Sequence, residues 1–90
     1  AFENGELGQA ADAFKQALAL VPQHPALNLN LVQVLLKNAE HQGKTSDPTM
    51  LQRCERCLDQ LGHLPPQHKQ YKRYQFLTKK VADLKAGSNA

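Results

Sequence analysis

The chain has no tryptophan, one methionine, two cysteines and five glycines among its 90 residues. Each scarcity excludes something. Two cysteines cannot build the disulfide framework of a small secreted domain. So few glycines, none clustered, leave no phosphate-cradling loop. No apolar run approaches the roughly 18–20 residues of a membrane-spanning helix. The opening "AFENGELGQA" is acidic and polar rather than a signal-peptide pattern, so the expected compartment is the cytoplasm. The carboxylates are scattered, and no serine or cysteine is paired with a base in a local frame, so no enzyme and no cofactor are expected. Ninety residues allow one domain whose stability margin is small.

The net charge of +3 is unevenly placed. Residues 1–47 are mildly acidic and 48–67 balance. The last segment carries Lys69, Lys72, Arg73, Lys79, Lys80 and Lys85 against the single Asp83. A basic helix of this kind suits nucleic acid, membrane phosphates, acidic peptides or plain solvation.

Four helices and no strands account for the pattern. In residues 7–20, Ala10, Ala13, Phe14, Ala17, Leu18 and Val21 recur at three and four. "ENGE" beside Phe2 and Leu7 reads as a turn with Gly5 as breaker, and Pro22 and Pro25 end the helix. Residues 25–40 continue with Leu27, Leu31, Val34 and Leu35 on one face and Leu29, Val32 and Leu36 beside it. The alternating "LNLNLVQVLL" imitates a strand, but the apolar spacing runs too long for one. Two apolar faces mean that this helix is sandwiched or exposes a binding stripe. Residues 41–47 read as a loop. Asp47-Pro48 starts a third helix to about 61, with Leu51, Cys54, Leu58 and Leu61 in a stripe, Cys57 beside them and Gly62 as its stop. A fourth, about 67–86, repeats Tyr71, Tyr74, Leu77, Val81 and Leu84, and 87–90 form a tail.

The spacing Gly5, Ala10, Phe14, Ala17, Pro22 resembles the second half of a tetratricopeptide repeat. Leu7, Leu18 and Leu20 also stand where that family carries large apolar residues. In the family, the small residues let helices cross closely and the aromatic fills the gap between repeats. "HPALNLNLVQVLLK" resembles the first helix of the next repeat, although Asn28 replaces the usual tryptophan or tyrosine. The resemblance implies an all-α fold of antiparallel hairpins in a right-handed superhelix. It divides one domain, 1–86, into a partial repeat 1–24, a divergent repeat 25–66 and a further repeat or capping helix 67–86. Residue 1 then falls inside a first helix mostly absent, so the chain is expected to be part of a longer protein. The texture of "LNLNLVQVLLK" and "CLDQLGHLPP" also resembles tails that follow receiver domains in bacterial response regulators.

Two site readings compete with ordinary structure. Cys54, Cys57, His63 and His68 have the spacing C-x2-C-x5-H-x4-H of a small zinc knuckle. But Cys54 shares an apolar stripe, and cysteine commonly packs as a small hydrophobe, so no metal is expected. His24, His41, His63 and His68 all fall in linkers or helix starts. The family resemblance also implies a partner groove lined by Leu29, Asn30, Gln33, Leu36 and Lys37 and extended by Lys69, Lys72 and Arg73. Lys69, Tyr71 and Arg73, with Asn30 from the preceding repeat, match a pattern by which some family members clamp a peptide's terminal carboxylate, through charge-assisted bonds. The expected partner is thus a protein or peptide, with no membrane. Nucleic acid held by the basic last helix, or self-association, are the alternatives, and the oligomeric state stays open.

Overall fold

The computed structural model describes residues 4–45, 47–62 and 64–88. It contains four helices: α1 (Asn4–Leu20), α2 (Pro25–Gln42), α3 (Pro48–Asp59) and α4 (Tyr71–Ser88), with no strand among the described residues. This is the all-α hairpin fold expected. Phe2, His63, Asn89 and Ala90 lie outside the described residues.

Helix ends follow local chemistry, with some departures from expectation. Gly5 does not break the chain; it lies within the first turn of α1. After Leu20 two turn residues lead to His24, whose Nδ1 accepts from the N–H of Leu27 at 3.3 Å, with Pro25 at the first helical position. At its other end α2 runs two residues past 40 and stops at Gly43, whose φ of 67° is left-handed. There the N–H of Lys44 reaches the carbonyl of Ala39 at 2.8 Å, the closure usual at a glycine-capped helix. Asp47 caps α3 by accepting from Thr49 N–H at 3.2 Å. The expected glycine stop at 62 does not occur. α3 tightens through three-residue turns, with Gly62 N–H donating to Asp59 carbonyl at 3.1 Å, and Gly43 is the one glycine with positive φ among the described residues. α4 begins at Tyr71 rather than 67, because the turns at 65–70 are closed by the N–H groups of His68 and Tyr71 on Pro65 and His68 carbonyls. It also extends to Ser88, so Gly87 and Ser88 are helical rather than tail.

α2 is the centre of the molecule. It packs on α1, α3 and α4, whereas among the described residues α1 and α4 make no packing contact with each other. Its two apolar faces are therefore sandwiched: Leu29, Leu31, Val32, Leu35, Leu36 and Ala39 are all buried. α3 contributes Met50, Leu51, Cys54, Cys57 and Leu58, and α4 contributes Leu77 and Val81, with Tyr74 and Leu84 packed partly against them. α1 gives least. Ala11 is buried, and Phe14 and Leu18 pack partly on the core, while the expected Ala13 faces solvent. Val21 is exposed, and Leu20 is 85% exposed despite standing at a position that is apolar in the resembled family.

Candidate partner-binding groove

α2 forms the floor of a groove whose walls are α1 and α4. Its volume is about 570 Å³. The floor residues Asn30, Gln33, Val34, Lys37 and Glu40 recur at three and four, so they occupy one face of α2. Ala10 and Phe14 come from α1; Phe76, Leu77 and Lys80 come from α4. Phe76 is 56% exposed at the groove's edge, an apolar surface that no element among the described residues covers.

The polar side of the groove is organised by long-range bonds. Arg73 Nη2 donates to Asn30 Oδ1 at 2.5 Å and also to Gln33 Oε1. Partial burial lowers the Arg73 pKa from its usual value, and the two amide oxygens replace some of the water that the guanidinium loses. Lys80 Nζ pairs with Glu40 at 3.0 Å across α4 and α2.

Of the residues expected from sequence, Asn30, Gln33, Leu36 and Lys37 line the groove. Leu29 does not. It has no exposed surface, because its side of α2 is covered by neighbouring helices, and it belongs to the core. Arg73 reaches the groove's amides from α4 without lining the cavity. Lys72 is exposed on α4 and lies outside the lining. Lys69 precedes α4, in the turn where His68 Nδ1 accepts from Gln70 N–H at 3.0 Å. The structure thus joins Asn30 and Arg73 of the clamp pattern and leaves Lys69 on a different element. Phe76 and Lys80 were not anticipated. Their signal was an aromatic and a lysine off the Tyr74–Leu77–Val81 stripe, on the side of α4 that sequence alone assigns to solvent.

The cysteines sit in the α3 core stripe. Cys54 is fully buried, with its Sγ 3.6 Å from Met50 Sδ. Burial, with smaller contributions from Cys57 and Glu55, pushes the Cys54 thiol up to about 12, which suppresses the thiolate that metal binding or redox exchange needs. His24 and His68 serve as backbone caps and His41 lies in the last turn of α2; among the described residues no three His, Cys, Asp or Glu side chains come together as a ligand set.

Residues 1–43 match the family model described as tetratricopeptide repeat. No curated protein and no solved structure matches the chain. The likeness covers α1 and α2 and ends at the Gly43 cap, so it supports a tetratricopeptide-like hairpin made by the first two helices.

Proposed function

We propose that this chain is a non-catalytic protein-interaction module of tetratricopeptide type, which holds a peptide segment of a partner in the groove between α1 and α4. The carrying observation is the groove itself. It has apolar walls, including Phe14 and the exposed Phe76, a mixed floor in which Val34 stands among polar side chains, and a polar edge where Arg73 holds the amides of Asn30 and Gln33. Such a mixture suits a peptide read by one or two apolar anchors and a few polar contacts. A peptide carboxylate entering here would compete with two neutral amides for Arg73, and the charge-assisted bond is the stronger. This favours partners with a carboxylate at the anchored end. Sequence texture supports a larger bacterial signalling or scaffold protein in the cytoplasm, such as a response regulator, as the setting.

Selection of displayed peptides on the wild-type chain tests the reading. The expected result is a set of binders weakened about tenfold or more by Val34→Asp or Phe76→Ala, in line with loss of a buried anchor. Amidating the terminal carboxylate of those peptides should weaken them further in the wild type and not in Arg73→Ala. Binders insensitive to all three substitutions would show that the groove is not the site.

A further inference from the structure

On another side of α2 lies a second cleft, of about 370 Å³, bounded by α1 and α3. It shares no lining residue with the groove. At 100° per residue its floor pair, Leu31 and Leu35, stands about 130° round α2 from the Asn30–Gln33–Val34–Lys37 face. Both leucines are buried, and the partly buried Leu18 of α1 adds to the apolar wall.

The rim is of one sign. Lys15 of α1 and Arg53 and Arg56 of α3 are exposed there, and no acidic residue lines the cleft. The ion pairs found among the described residues, Lys80 with Glu40 and Lys85 with Glu55, use none of these three. Lys15, Arg56 and Cys57 all line this cleft, and the two cations oppose the rise that burial causes in the Cys57 thiol. Gln60, just after α3, lines the same cleft, and its Oε1 is buried without a hydrogen-bond donor. A fold that brings three cations around an apolar floor and leaves a neighbouring acceptor unmet is poised for a ligand with complementary features.

We propose that this cleft is a second docking site, for an acidic peptide segment that carries a leucine or isoleucine. The aliphatic side chain covers Leu31 and Leu35, flanking aspartates or glutamates meet Lys15, Arg53 and Arg56, and a peptide N–H meets Gln60 once its side chain turns outward. A nucleic-acid backbone would use the cations and leave the leucine floor unfilled, which makes the acidic peptide the better match. The site is independent of the α1–α4 groove, so the module grips two segments at once, on different sides of α2.

The probe is a fluorescein-labelled pool of twelve-residue peptides rich in Asp and Glu, with one Leu or Ile at varied positions. Fluorescence anisotropy should show saturable binding, reduced about tenfold or more in Lys15→Glu/Arg53→Glu/Arg56→Glu and less in Arg53→Gln/Arg56→Gln, as expected for charges that steer and hold a partner. Circular dichroism confirms that these exposed substitutions leave the helices intact. Val34→Asp, in the groove, should leave this binding unchanged, which separates the two sites. The proposal is overturned if no peptide of the pool binds, if the triple variant binds as well as wild type, or if replacing the Leu by Ser has no effect. Equal competition by a single-stranded oligonucleotide would also overturn it, in favour of a nucleic-acid site.

Discussion

Asn28 has no exposed surface, at a position where the resembled family carries a large aromatic. Its Nδ2 donates to the carbonyls of Pro22 and His24, at 3.0 and 2.9 Å. The amide therefore ties the α1–α2 turn to the first turn of α2, where an aromatic would fill space instead. The Asn28 Oδ1 is buried without a donor, so the side chain carries a cost as well as a gain. The gain is expected to win, because removing the amide strands the carbonyl of Pro22 as well. Asn28→Ala should cost about 1–3 kcal/mol, the usual penalty for orphaning a buried polar group, read as a shift in the urea midpoint at constant slope. An unchanged midpoint would mean that water takes over the turn. Nothing in the sequence marked Asn28 as buried, since its two acceptors are backbone atoms placed by the turn.

Helices and their limits were largely legible, because proline, cap residues and three-four spacing act within a few positions of each other. Pro25, Asp47 and Pro48 stand at helix starts as expected, since they act on the backbone beside them. Glycine was harder to place. Gly43 and Gly62 both come just after helices, yet only Gly43 takes a left-handed φ. The path of the chain beyond each glycine makes the difference. α2 closes by returning Lys44 N–H to Ala39, which needs a left-handed residue, whereas α3 tightens through right-handed turns into Leu64. Gly43→Ala should therefore cost about 1 kcal/mol. Gly62→Ala should cost less, because its added Cβ would meet only the Asp59 carbonyl, at 3.3 Å. Thermal unfolding of the two variants compares them directly; a larger loss at Gly62 would contradict the cap assignment.

For the molecule as a whole, α4 is the element whose attachment decides the groove. Two ion pairs, Glu40–Lys80 and Glu55–Lys85, join it to α2 and α3. Every partner is more than a third exposed, and such pairs contribute about 0–1 kcal/mol each. Burial of Leu77 and Val81 is the larger effect. Leu77→Ala should cost about 2–5 kcal/mol, a large part of the stability of a domain this small. Raising NaCl to 0.5 M should lower the melting temperature by only a few degrees at most. If salt acts more strongly than the substitution, α4 is held by charge rather than by packing.

Helix content, the start signals and the apolar stripes come from the amino-acid order, because each depends on residues a turn or less apart. Periodicity, however, reports direction around a helix's own axis and not which neighbour covers that direction. Leu29 and Leu36 both looked available for a partner, and only the placement of the other helices put Leu29 wholly in the core and left Leu36 at the floor of a groove. Arg73 meets Asn30 from 43 positions away, and Lys15, Arg53 and Arg56 form one rim only after α1 and α3 have both docked on α2. Contacts at that separation are set by how packed helices divide the faces of α2 among them, which no local pattern encodes.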